Sequence, residues 1–130
     1  MSEWTPEQLD RIAQADELQI ASRRSDGTLR PFVTIWVVRV GDDLYVRSAY
    51  GPESDWYEHA LASGRGSILA GGVEQHVRFT HLSADDSAHD DIDKAYRDKY
   101  RNEEAKIVDT VVGPATHAVT IRVDAETLDD

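Results

Sequence analysis

The chain has 130 residues, no cysteine, and 14 lysines and arginines against 25 aspartates and glutamates, for a net charge of −11. This length suits one domain with its own core, residues 1–130. Disulfides, thiolate metal sites and cysteine nucleophiles are excluded. So are a counterion-displacing nucleic-acid surface and a general attraction to anionic membranes, because only three lysines occur in an acidic chain.

The opening MSEWTPEQLD has no basic or apolar leader segment. The longest apolar stretch, FVTIWVV, is far short of the ~20 residues a spanning helix needs. A cytoplasmic address is the expectation. Thr5, Pro6 and Gln8 form an N-cap, a first-turn proline and a capping-box partner, so a helix is expected from about Pro6 to Ala15 with Leu9, Ile12 and Ala13 buried. ELQIASRR follows as a strand, and Asp26-Gly27 as a hairpin turn. A strand from about Leu29 to Val40 is apolar on both faces: Phe32, Trp36 and Val38 on one, Val33, Ile35 and Val37 on the other. Both faces should therefore be covered, one by the core and one by a helix or a second subunit.

Gly41-Asp42-Asp43 turns the chain into the strand LYVRSAY. GPESDWYEHALASG reads as a helix that Pro52 opens and Gly64 closes. RGSILAGGVEQHVRFTHL is a hairpin with Gly71-Gly72 as its two-residue loop. SADDSAHDDIDKAYRDKYR is a helix, acidic at its start and basic at its end, with Ile92, Tyr96 and Tyr100 on one face. HAVTIRV, from His117 to Val123, is the last strand. The expected fold is α+β: a six-stranded, mostly antiparallel split β-barrel with three flanking helices.

The five histidines make no tight ligand pair, and no metal site is expected. A nucleophile elbow and a P-loop are both absent. What stands out is Arg23 to Gly51, where Arg23, Arg24, Arg30, Arg39 and Arg47 outnumber Asp26, Asp42 and Asp43. Guanidinium forks match phosphate oxygens, a glycine-containing loop before a helix adds N–H donors, and aromatic rings stack on a flat heterocycle. Together these ingredients describe a phosphorylated ring cofactor. Arg23, Arg24 and Arg30 flank one turn and are the first choice for the phosphate. Trp56 suits a core position better than a cofactor lid, while Tyr96 and Tyr100 serve equally well as residues that only dock their helix.

The strings SRRSDG, then Arg30, an apolar strand, GDDLYVRSAYG, Trp56-Tyr57 and AYRDKY resemble the flavin and deazaflavin oxidoreductases of the split β-barrel fold, the pyridoxamine phosphate oxidase-like proteins. The resemblance runs from about Glu17 to Val123. The WVVRVGDDLYVRS core and the GRG…AGGVE hairpin are similar, more closely, to the uncharacterised domain-of-unknown-function family 2255. Departures are Val33 where a strand proline is expected, Pro52 in place of a second loop glycine, no loop lysine at Ala49 or Tyr50, and Asp26 inside the basic turn.

The resemblance implies a homodimeric oxidoreductase binding FMN or deazaflavin (coenzyme F-420) and acting on a small molecule. The WY pair and the tyrosine-bearing helix favour deazaflavin. Arg23, Arg24 and Arg30 would hold phosphate, with Thr34, Ser48, Tyr50, Gly51 and Trp56 about the rest of the cofactor. Tyr96 or Tyr100 would be the catalytic proton donor. A non-catalytic carrier and a degenerate barrel remain the alternatives.

Overall fold

The computed structural model describes residues 4–49 and 51–126. The first helix, α1 (Pro6–Gln14), starts as its sequence dictates. The Thr5 hydroxyl accepts the Gln8 N–H at 3.1 Å, and the Gln8 side chain accepts the Thr5 N–H at 3.0 Å. Leu9 and Ile12 are buried, while Ala13 is only half-buried.

The long strand expected over Leu29 to Val40 is broken in two. After β1 (Leu18–Ser22) come β2 (Val33–Ile35) and β3 (Val38–Val40), followed by β4 (Asp43–Arg47). β2 pairs with β1, whereas β3 pairs with β4. Trp36 and Val37 carry the chain from one to the other. The Val37 backbone groups find partners outside the sheet: the Tyr100 hydroxyl accepts its N–H at 3.2 Å, and the Lys99 amine donates to its carbonyl at 2.7 Å. Side chains thus replace a ladder, which removes the cost of stopping the strand here. Within the single chain Phe32 and Val33 are 37% and 39% exposed.

Next is α2 (Asp55–Ser63), which begins after Ser54 rather than at Pro52. It ends as expected on Gly64, whose φ of 72° is left-handed. The hairpin of β5 (Arg65–Ala70) and β6 (Val73–His81) has the predicted Gly71-Gly72 loop, both residues at positive φ. After α3 (His89–Lys99), residues that carried no sequence expectation form α4 (Ala105–Val108), a 3₁₀ turn (Asp109–Val111) and α5 (Pro114–His117). The last strand, β7 (Thr120–Ala125), starts later than expected because Pro114 opens that helical turn first. The described residues therefore contain seven strands and five α-helices, not six and three.

Every strand pairing is antiparallel, in the order β2-β1-β5-β6-β7-β4-β3. The two edges, β2 and β3, are consecutive in the chain and joined by two residues. Such a sheet has to curl until its edges meet, which makes a half-barrel. Alternation along β4 separates two apolar clusters. Leu44 and Val46 join Leu9, Ile12, Ile68 and Ile121 in one; Tyr45 joins Ile92, Tyr96, Tyr100 and Val111 in the other. Among the described residues no helix is long and apolar enough to cross a membrane.

β1 and β5 approach so closely that a Cβ on Gly66 would lie 2.0 Å from the Ala21 carbonyl oxygen. Gly66→Ala should cost about 1–3 kcal/mol or more in urea denaturation. An unchanged midpoint would contradict this packing.

Candidate functional site

The Asp26-Gly27 turn is built by Asp26 itself. Its carboxylate accepts the Thr28 N–H at 3.0 Å and the Thr28 hydroxyl at 2.7 Å. The Thr28 hydroxyl and N–H hold the Asp26 carboxyl below its ordinary value. Gly27, with φ 91°, lets the chain return. Two arginines are oriented by this turn. Arg23 donates to the Gly27 carbonyl at 2.8 Å and meets His76 Nδ1 at 2.8 Å; Arg24 donates to the Leu29 carbonyl at 3.1 Å. With Arg30, His59 and Arg65 they line a cleft of about 520 Å³ against the end of α2. Arg65 is committed to Glu126, at 2.8 and 2.6 Å. Burial would raise the Glu126 carboxyl, but Arg65 and Arg78 outweigh it and hold it low. Among the described residues, the Arg30 guanidinium has no hydrogen-bond or ion-pair partner, although the residue is half-buried.

Arg30 and His59 also line a narrow passage of about 220 Å³, with Pro31, Val33 and Trp56. Val33 and Trp56 in turn line a larger cavity of about 680 Å³. The three share residues in series, so one groove runs from a cationic end to an apolar end. The apolar end is walled by Trp36, Ile35 and Val111, with the hydroxyl residues Thr34, Ser54 and Thr110 among them and Lys106 and Ile107 from α4. Trp36 is stacked on Tyr100, centroids 3.9 Å apart and planes at 5°. That leaves one indole face for the cavity Trp36 lines.

Arg47 also lines this cavity, yet its side chain is fully buried. It donates to the Asp93 carboxylate, to the Val111 carbonyl at 2.8 Å and to the Thr120 hydroxyl at 2.8 Å. His89 Nδ1 is 3.1 Å from the guanidinium and His89 Nε2 is 2.7 Å from the Ser83 carbonyl. Only Nε2 has an acceptor to donate to, so the ring proton belongs there and Nδ1 accepts from Arg47. His117 stacks on His89 at 4.2 Å and reaches Asp93 at 3.3 Å. Burial would raise the Asp93 carboxyl; hydrogen bonds from Arg47 and His117, the Arg47 charge and the Gly113 N–H outweigh it and hold it below 3.8.

The structure brings Arg23, Arg24 and Arg30 into one cleft and places Thr34 and Trp56 in the adjoining cavity. Ser48 is buried, and its hydroxyl donates to the Gly51 carbonyl at 2.6 Å; neither lines the groove. Tyr50 lies outside the described residues. Tyr96 and Tyr100 are in the second apolar cluster and line no part of the groove. Burial pushes both hydroxyls well above the ordinary tyrosine value. Among the described residues the Tyr96 hydroxyl has no hydrogen bond of normal geometry, while Tyr100 donates to the Asp16 carbonyl at 2.8 Å.

Sequence reasoning missed Trp36, His59, Arg65 and the α4 residues. Ile107 and Val111, four apart in AKIVDTVVGP, were the available sign of a helical apolar face there.

A family model described as "Uncharacterized protein conserved in bacteria (DUF2255)" matches residues 8–123. The chain belongs to that family. No curated protein matches it. Solved structures similar to this DUF2255 chain include one described as an F-420 reductase, at TM-score 0.62 and 17% identity over 95% of this chain and 97% of that one. HutZ, the heme storage protein from Vibrio cholerae, is similar at TM-score 0.62 and 10% identity, over 95% and 90%. A pyridoxamine 5'-phosphate oxidase-related, FMN-binding protein from Nostoc punctiforme PCC 73102 is similar at TM-score 0.52 and 12% identity, over 97% and 81%. At these identities the likeness shows the shared fold, the split barrel.

Asp93→Ala would strand a buried guanidinium and should cost about 3–5 kcal/mol. The Asp93 carboxyl is depressed, so its contribution is present at neutral pH and is lost as pH falls through its folded value, below 3.8. Acid unfolding of the wild type should therefore be steeper there than that of Asp93→Asn. Superimposable profiles would remove Asp93 from the network.

Proposed function

We propose that the groove holds a phosphorylated flat-ring redox cofactor, FMN or a deazaflavin, and that the chain is an oxidoreductase passing hydride between that ring and a small organic substrate. The observation that carries this reading is Arg30. A half-buried cation without a partner among the described residues, where the cationic cleft opens into the passage toward the apolar cavity, is a group waiting for an anion. Arg23 and Arg24, already oriented by backbone carbonyls, complete a phosphate clamp. The ring would lie on Trp36 beside Trp56, with the Thr34, Ser54 and Thr110 hydroxyls as polar anchors.

When bound, the cofactor supplies the hydride chemistry; the protein binds, orients and excludes water. In this reading Tyr100 backs the Trp36 platform, and Tyr96, whose ring lies 5.6 Å from the Arg47 guanidinium, supports the buried network beneath it. Ser48 and Gly51 shape the loop before α2. The exposed Val33, next in the chain to the exposed Phe32, lines the groove, and Ile107 sits at its apolar end. A second copy of the chain covering them makes a homodimer.

One observation favours the carrier reading. Among the described residues lining the large cavity the ionisable ones are Arg47 and Lys106, and no carboxylate, histidine or tyrosine faces it. Transfer of hydride from bound reduced cofactor to a quinone or enone separates the two: turnover supports the enzyme, and binding without turnover supports the carrier.

Titration with FMN and with the deazaflavin should quench tryptophan emission, because Trp36 and Trp56 line the cavity. Arg30→Ala should weaken binding by about 1.5–3 kcal/mol with folding unchanged. Binding of neither cofactor at about 50 μM, or equal affinity in the variant, removes the proposal's basis.

A further inference from the structure

The chain's three lysines, Lys94, Lys99 and Lys106, occupy unlike environments. Lys94 is exposed and bonded to Asp98 at 2.9 Å, which raises its pKa. Lys106 is exposed with Glu104 3.9 Å away. Lys99 is half-buried: its amine donates to the Val37 carbonyl at 2.7 Å and lies 5.3 Å from the Tyr100 ring centroid. It lines a cleft of about 530 Å³ between α1, β3 and α3, walled by Ala13, Val38, Val40 and Ala95. This cleft shares no lining residue with the groove described above.

We propose that Lys99 is an acylation site, its amine taking a small acyl group from an activated donor of the acyl-phosphate class that enters this cleft. The amine lone pair attacks the acyl carbon. A C–N bond forms, the C–O bond to phosphate breaks, and phosphate leaves with the electron pair while the amine proton passes to water. The product amide keeps one N–H for the Val37 carbonyl and carries no charge to desolvate. Half-burial selects a small donor over an enzyme active site, which has to surround the whole lysine side chain.

Burial lowers the Lys99 amine to about 8 against the opposing charge of Asp16, so an appreciable share is neutral near physiological pH. The charged groups around the cleft are Asp16 after α1, Arg39 on β3 and Asp91, Lys94 and Asp98 on α3; α1 contributes only Ala13 to the lining. Arg39 is itself held by Asp10 at 2.7 Å.

The test uses the intact protein and acetyl phosphate, with site-resolved acetylation rates from peptide mass spectrometry. At about pH 7.5 Lys99 should react roughly ten-fold faster than Lys94 or Lys106, its larger neutral fraction being partly offset by lower basicity. Its rate should level off above about pH 9, while that of Lys94, whose pKa is raised, keeps rising. In urea the three rates should converge. Equal rates in the folded protein, or a Lys99 rate climbing in parallel with Lys94, overturns the proposal.

Discussion

The architecture depends on how the chain crosses between the two edges of its own sheet. β2 and β3 close opposite ends of a seven-stranded order, yet only Trp36 and Val37 separate them. A flat sheet would hold its edges tens of ångströms apart, at nearly 5 Å per strand. Two residues can span that gap only if the sheet curls. The crossing also has to satisfy the backbone it exposes, and α3 does so through Tyr100 and Lys99. One residue of that crossing, Trp36, is then turned into the wall of the large cavity. Barrel closure and the platform of the candidate site are consequences of a single connection.

Electrostatics at the other end of the groove follows a similar economy. In a chain of net charge −11, long-range attraction for anions is absent. The cationic cleft works at short range by sorting its arginines. Arg65 is neutralised by Glu126, Arg23 and Arg24 are aimed by carbonyls, and Arg30 is left unpaired among the described residues. Arg39 and Arg47, which swelled the count in the sequence, are absorbed by Asp10 and Asp93. Of the five arginines that made the local excess, Arg23, Arg24, Arg30 and Arg47 line the groove, the last with its charge already paired, and Arg39 does not.

What could be read from the sequence was what local physics controls: the capping box at Thr5, the Gly71-Gly72 hairpin, the Asp26-Gly27 turn, and the four-residue repeat that buries Ile92, Tyr96 and Tyr100 together. The break between β2 and β3 was hidden because β-propensity continues unbroken through FVTIWVV; only tertiary partners from α3 end the strand. The same blindness affected the tyrosines. Their spacing revealed a shared face, but a face that packs and a face that lines a pocket have one periodicity. Trp36 was misplaced on a continuous strand, and α4 was too short and too polar at its start to announce itself.

The Arg47 cluster has a bearing on the order of assembly. Its partners Asp93, Val111 and Thr120 lie 46, 64 and 73 residues away along the chain. None of these contacts can be made by a nascent N-terminal fragment, and a guanidinium placed early in an apolar setting would be destabilising. The first half of the sheet therefore has to wait, with that position hydrated, until the C-terminal segment arrives. Full burial of this one arginine therefore needs α3, the turn at Val111 and the last strand all in place.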